Sequence, residues 1–102
     1  MNRLTVLYGH PKDPAAFDRY YYATHVPIAK KIPGLRHYEV TSGPVTTLEG
    51  PSPYHLVALL SFDSLAAIQA ALGTPEGQAT AADLGNFATG GVDPYIADTR
   101  TI

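Results

Sequence analysis

The chain has 102 residues, of which 45% are hydrophobic and only 16% are charged, and its formal net charge is −2. This length predicts one domain, residues 1–102, with a small core. The seven Lys and Arg residues are scattered, so we expect no nucleic-acid partner, because such binding depends on a clustered cationic surface. The absence of cysteine excludes disulfides, thiolate metal sites and a cysteine nucleophile.

The N-terminal segment leads straight into alternating residues and lacks the apolar region and cleavage pattern of a signal peptide. No apolar run approaches the roughly 20 residues that a membrane-spanning helix needs. We therefore expect a soluble, cytoplasmic protein with no membrane partner.

The first part of the chain predicts a strand followed by a helix. Residues Arg3–Tyr8 read as a strand, and Asp13 followed by Pro14 is a favourable N-cap and first position for a helix. One helical face then repeats at i, i+3, i+4, i+7 and i+11, through Phe17, Tyr20, Tyr21, Thr24 and Ile28.

Pro27 interrupts this helical pattern. Proline has no N–H to bond the carbonyl of Ala23, and it disfavours the helical region for the preceding Val26. We expect a kink or break near Val26, with a last turn through Lys31.

The rest of the chain predicts three more strands and a second helical region, separated by stretches rich in Pro and Gly. In chain order these are a strand over Leu35–Thr41, a loop over Ser42–Pro53, a strand over Tyr54–Phe62, a helix over Leu65–Leu72 capped by Asp63 or Ser64, a helical stretch from Thr74 through Leu84, and a strand over Val92–Thr99.

The order β-α-β-β-α-β is that of the ferredoxin-like α+β fold, a four-stranded antiparallel sheet with two helices on one face. The other face of an antiparallel sheet is polar when it meets water. The third strand, however, is apolar on both faces over Leu56–Leu60. This pattern predicts a homodimer in which the open sheet faces of two copies pack together.

Several segments, in order along nearly the whole chain, resemble the EthD family, named for ethyl tert-butyl ether degradation. They are Tyr8-x-x-Pro11-x-Asp13, Phe17-x-x-Tyr20-Tyr21-x-x-x-His25-x-Pro27-Ile28, Ile32-Pro33-Gly34-Leu35-Arg36-x-Tyr38, Ser61-Phe62-Asp63-Ser64-Leu65 and Ala82-Asp83-Leu84-x-Asn86-Phe87. Each segment alone is weak evidence, and their order and spacing make the resemblance specific.

The resemblance implies a dimeric α/β barrel with a pocket between sheet and helices in each subunit. It also implies a link to the breakdown of small organic compounds, and members are often labelled reductases or oxidoreductases. Fungal relatives act on polyketides, and more distant barrel proteins include muconolactone isomerases and cofactor-free monooxygenases. This chain has Tyr21 where many members have tryptophan, which changes the polarity of an aromatic pocket wall.

His25 is the main candidate for chemistry. It lies at the edge of the apolar stripe, with Tyr21 four residues and Tyr22 three residues before it and Asp18 on the same flank. Imidazole titrates near neutrality and suits acid–base catalysis. Alternatively, His25 caps or packs beside Pro27, Tyr21 belongs to the core, and Asp18 is a solvated acid near the helix start.

We expect the pocket wall to include Tyr8, Leu59 and Phe62, with His10 at the mouth; His10 could equally be an exposed loop residue. The histidines show no metal-ligand spacing, and nucleotide-binding patterns are absent. We therefore predict no cofactor and no metal site. Two functions remain open: an enzyme acting on a small aromatic or carbonyl compound, and a non-catalytic protein that binds such a compound for a degradation pathway.

Overall fold

The computed structural model describes all residues from Met1 to Ile102. In chain order the elements are β1 (Asn2–Gly9), α1 (Pro14–Tyr20), a π-helical segment (Tyr21–His25), α2 (Val26–Ala29), β2 (His37–Val40), β3 (Thr46–Thr47), β4 (Gly50–Pro51), β5 (Tyr54–Phe62), α3 (Leu65–Leu72), α4 (Pro75–Asp83), a 3-10 turn (Leu84–Asn86) and β6 (Val92–Asp98). No helix is both long and apolar enough to cross a membrane.

The sheet is four-stranded and antiparallel, in the order β2-β5-β1-β6. The predicted α+β ferredoxin-like fold is therefore confirmed. The strands β3 and β4 form a separate two-stranded hairpin within the segment that the sequence predicted to be a loop.

Alternation along the two central strands creates one face for the core. Leu4, Val6 and Tyr8 of β1 are buried against the helices. The same is true of alternate residues of β5, namely Leu56, Ala58, Leu60 and Phe62. The intervening residues Val57 and Leu59 are half-buried on the opposite, open face of the sheet.

Side-chain caps begin the helices at the positions that the sequence indicated. The Asp13 carboxylate accepts a hydrogen bond from the backbone N–H of Ala16 at 3.1 Å, with Pro14 as the first helical residue. Ser64, not Asp63, caps α3 by accepting from the N–H of Ala67 at 3.0 Å. These bonds satisfy backbone donors that have no partner within the helix.

Of the kink or break expected near Val26, the break is wrong. Val26 is helical, at φ −56° and ψ −48°, and the chain stays helical from α1 through α2 to Ala29. The turn before Pro27 widens instead, so that the N–H of Val26 bonds the carbonyl of Tyr21 across five residues. A π-helical turn accommodates the missing N–H and the bulk of the proline ring without ending the helix.

Candidate active site

The helices and the buried face of the sheet enclose a cavity of about 200 Å³, which we call the inner pocket. Twelve of its sixteen lining residues are hydrophobic, three of these being Tyr8, Tyr21 and Tyr38. His25, from the end of the π-helical segment, is the one histidine among the lining residues. An imidazole thus lies in an otherwise apolar chamber.

The imidazole of His25 is held by a carboxylate from the other helical region. His25 Nδ1 lies 2.8 Å from Asp83 Oδ2, and the two residues are only 3% and 6% exposed. The other oxygen of Asp83 accepts hydrogen bonds from the Tyr20 hydroxyl at 2.6 Å and the Asn86 amide at 3.0 Å. Two donors thus converge on this carboxylate, and because an ionised carboxylate can only accept, His25 Nδ1 carries the proton.

The protonation of the pair follows from burial and hydrogen bonding. Burial lowers the pKa of His25 below 6.5, although Asp83 acts to raise it. Burial acts to raise the pKa of Asp83, but hydrogen bonds from Tyr20, Asn86 and His25 outweigh it, and the pKa lies below its ordinary value. At neutral pH, Asp83 is ionised and His25 is neutral. With the proton on Nδ1, the Nε2 atom of His25 has a free lone pair, and this atom makes no hydrogen bond within the chain.

Aromatic rings fix the plane of this imidazole. The Phe87 ring lies 4.7 Å from that of His25, and the Tyr21 ring lies 5.3 Å from it, both at tilted angles. Tyr21 and Phe87 are themselves 5.8 Å apart. Contacts of this kind, together with the Asp83 hydrogen bond, restrict rotation of the imidazole and pre-orient it.

The tyrosines of the inner pocket are neutral donors. The hydroxyls of Tyr21 and Tyr38 are hydrogen bonded at 2.7 Å. Burial raises the pKa of Tyr8, Tyr21 and Tyr38, so each remains a phenol over the physiological range. The inner pocket therefore combines one proton acceptor with O–H groups that can stabilise a negative oxygen.

A second cavity of about 420 Å³ lies beside the loop over residues 41–53, and we call it the outer cleft. It is lined by His10, Asp18, Tyr22 and His55, together with loop residues. The register of β1 and β5 shifts between Tyr8 and Gly9, leaving His55 in a bulge. A bulge re-aims a side chain, and His55 here contacts α1, with Nε2 2.8 Å from Asp18 Oδ1.

The structure brings together only part of the predicted site. Tyr8, Tyr21 and His25 line the inner pocket, as expected. Tyr22, Asp18 and His10 line the outer cleft instead. Tyr22 is 52% exposed, whereas its neighbour Tyr21 is fully buried.

Two other expectations are wrong. Leu59 lies on the open face of the sheet, because its neighbours Ala58 and Leu60 are the residues of β5 that reach the inner pocket. Phe62 is fully buried but lines neither cavity. The hydrogen-bond partner of His25 is Asp83.

Sequence reasoning missed Asp83 and Tyr38 as site residues. Both belong to segments that carried the family resemblance, Ala82–Phe87 and Ile32–Tyr38, so their place in those segments was the available signal. The helical wheel could not show either contact, since 58 residues separate Asp83 from His25 along the chain.

The chain is thus an α+β domain of the ferredoxin-like fold, with a hydrogen-bonded histidine in an apolar pocket. Residues 10–91 match the EthD domain, and the chain is a member of the EthD family.

The full chain is 44% identical to an uncharacterised 11.0 kDa protein of the thcB–thcC intergenic region of Rhodococcus erythropolis, matching 98% of that protein. An EthD family protein from Bacillus halodurans is 36% identical, with a TM-score of 0.90 over 98% of this chain and 99% of that one.

Two further structures share the fold at low identity. SnoaB, a cofactor-independent oxygenase from Streptomyces nogalater, is 17% identical with a TM-score of 0.65, over 99% of this chain and 93% of SnoaB. A dimeric ferredoxin-like protein of unknown function from Jannaschia is 18% identical with a TM-score of 0.67, over 97% of this chain and all of that one.

Proposed function

We propose that the protein is a small-molecule catabolic or tailoring enzyme in which His25 removes a proton from a compound bound in the inner pocket. The observation that carries this proposal is the buried His25–Asp83 pair, which leaves a neutral imidazole with an unprotonated Nε2 at an apolar cavity. An oriented neutral imidazole is an effective general base near pH 7.

The proposed step is abstraction of a proton from carbon next to a carbonyl group. The proton passes to His25 Nε2, and the electron pair of the broken C–H bond moves to the carbonyl oxygen to give an enolate. A neutral tyrosine hydroxyl, Tyr21 or Tyr38, stabilises that oxygen by donating a hydrogen bond. Return of the proton to the same or another carbon completes exchange or isomerisation, and the step needs no cofactor.

The dimensions of the inner pocket limit the substrate. At about 200 Å³ the inner pocket is smaller than the roughly 300–1,000 Å³ of sites for drug-sized ligands. A single aromatic or alicyclic ring with a carbonyl substituent matches its size and its apolar lining. That SnoaB, with the same fold, is described as a cofactor-independent oxygenase supports a small-molecule enzyme that uses no cofactor.

Hydrogen–deuterium exchange tests this proposal before the natural substrate is known. Small single-ring ketones, including acetophenone and acetylcyclohexane, are incubated with the protein in D2O, and loss of the α-proton signal is followed by 1H NMR. We expect the wild-type protein to accelerate exchange of at least one such ketone. His25→Gln should reduce the rate by roughly 10²–10⁴-fold, since the amide cannot accept a proton near neutral pH.

The matched control is His37→Gln, at a histidine that is 63% exposed on the edge strand β2, and exchange should be unchanged. Equal rates for wild-type and His25→Gln proteins would refute the catalytic proposal. Saturable binding of the ketones without exchange in either protein would instead establish the alternative, a protein that holds a small molecule without converting it.

We also infer that two copies of the chain associate through the open face of the sheet. That face presents the apolar side chains of Leu7, Val57 and Leu59, together with Tyr95, which is 61% exposed. Arg3 Nε is buried there without a partner in the chain, and a second copy could supply an acceptor. The related Jannaschia protein is described as dimeric. A stable interface of this kind buries on the order of 2,000 Å² in total.

A further inference from the structure

The outer cleft contains two histidines whose tautomers are fixed by the chain. His10 Nε2 lies 2.8 Å from the carbonyl oxygen of Ser52, which can only accept, so Nε2 carries the proton. His55 Nε2 donates in the same way to the carboxylate of Asp18 at 2.8 Å. With the proton on Nε2, Nδ1 of each ring is the acceptor nitrogen of that tautomer, and neither Nδ1 has a hydrogen bond within the chain.

The two imidazoles lie close enough to serve one ligand. Their ring centroids are 6.3 Å apart, with an angle of 66° between the planes. The rings are also anchored, since His10 is bonded to the loop over residues 41–53 and His55 packs edge-on against Phe17 at 4.9 Å. Two rings this close, each with an acceptor nitrogen, can be reached by one small compound that carries two neighbouring hydroxyl donors.

The charge of the outer cleft determines the class of ligand. No Lys or Arg lines it, and Asp18 is its one acidic residue. An anionic ligand would meet a carboxylate and no permanent cation, so the outer cleft favours a neutral ligand.

The outer cleft, at about 420 Å³, has about twice the volume of the inner pocket, and the two cavities share no lining residue. The outer cleft is thus separate from the chamber that holds His25.

We propose that the outer cleft is a second binding site, which takes a neutral compound with two adjacent hydroxyl groups through the Nδ1 atoms of His10 and His55. The phenol of Tyr22, 52% exposed beside the same cleft, covers the apolar part of the ligand. This site does not depend on the reaction proposed for His25.

The test uses protein labelled with 15N in its histidines, titrated at pH 8 with catechol, and follows the ring-nitrogen resonances. Free imidazole is neutral at this pH. We expect saturable shifts at the Nδ1 positions of His10 and His55, with His37 unchanged. Guaiacol, which is catechol with one hydroxyl methylated, should bind roughly 2- to 10-fold more weakly, as the loss of one hydrogen bond predicts. Benzoate, an anion of similar size, should produce no saturable shift.

The variant His55→Phe keeps an aromatic ring against Phe17 and removes both ring nitrogens, so it should weaken catechol binding at His10 while the protein stays folded. The proposal is overturned if catechol gives no saturable shift, if its shifts are confined to His25, or if benzoate binds as tightly as catechol. None of these results depends on proton exchange at His25, so they leave the proposed reaction to its own test.

Discussion

At the scale of single residues, His25 owes its chemistry to its surroundings. A buried imidazole is easier to keep neutral than charged, and the carboxylate of Asp83 selects which nitrogen keeps the proton. Tyr20 and Asn86 hold that carboxylate in turn. The result is a base whose free nitrogen is set by contacts outside the inner pocket itself.

Acidification should destabilise the protein through His25. Because burial lowers the pKa of His25 in the folded chain below 6.5, the unfolded chain takes up this proton first. Stability is therefore complete above about pH 6.5 and falls as the pH drops from there towards the lowered pKa of folded His25. Urea midpoints measured in steps from pH 7.5 to about pH 5 should fall less steeply in His25→Gln than in the wild-type protein.

The comparison with His25→Gln separates this residue from the other three histidines, which both proteins share. Identical pH slopes in the two proteins would show that His25 does not titrate differently on unfolding. Below about pH 4, loss of the Asp83 charge should lower stability further, because its folded pKa is also depressed.

The sequence could predict that His25 faces a cavity, because the 3.6-residue period places it at the edge of the apolar stripe. The helical wheel wrongly places Tyr22 and Asp18 on the same face as His25. The π-helical turn over Tyr21–His25 adds one residue and so changes the direction of His25 relative to these two residues. Leu59 was misplaced for another reason: β5 is apolar on both faces, so composition alone does not show which side meets the helices.

At the scale of elements, the close approach of α3 and α4 closes the inner pocket. Gly77 makes it possible, because a Cβ at this position would lie 2.2 Å from the carbonyl oxygen of Ala71 and 2.8 Å from Leu72 Cα. Gly77 and Leu72 both line the inner pocket. Backbone atoms cannot rotate away as a side chain does, so α4 would have to move.

Gly77→Ala should therefore destabilise the protein. Overpacking costs about 1–3 kcal/mol, and contact with backbone puts this case at the upper end. The better helix propensity of alanine returns about 1 kcal/mol, which leaves a net loss of about 2 kcal/mol. Gly85→Ala is the matched control, because a Cβ there meets nothing within 4 Å. Denaturant unfolding that shows the two variants to be equally stable would contradict this reading of the helix contact.

The strands and helix starts were predictable because alternation, caps and breakers are local signals. The β-bulge at His55 was not, because it depends on how β5 pairs with β1 and no residue within β5 marks it. The hairpin of β3 and β4 was missed for a similar reason: two-residue strands are too short to show alternation.

At the scale of the whole molecule, the two faces of the sheet differ in what covers them. One is covered by helices, and the other carries Leu7, Val57, Leu59 and Tyr95 with no cover from the same chain. Pairing of two copies would bury these side chains and leave both cavities on the helical side of each copy.

Leu59→Arg should disrupt this association, because it places a charge at the centre of the open face, where burial without a partner is costly. Analytical ultracentrifugation should find the wild-type protein at twice the 10.9 kDa chain mass and the variant at the chain mass. Leu48→Arg, at a fully exposed residue between β3 and β4, is the control and should remain dimeric. A monomeric wild-type protein, or a dimeric Leu59→Arg variant, would refute the proposed interface.

The most direct test of His25 as the proton acceptor of the inner pocket is its tautomer. The tautomer is read from the 15N ring resonances at pH 7 in the wild-type protein and in Asp83→Asn. The structure predicts a neutral ring in the wild-type protein, with the proton on Nδ1 and a free lone pair on Nε2. In Asp83→Asn the amide can donate to Nδ1, so the proton should move to Nε2 and remove the proposed base. An imidazolium at pH 7, or a proton on Nε2 in the wild-type protein, would contradict the assignment of His25 as the proton acceptor of the inner pocket.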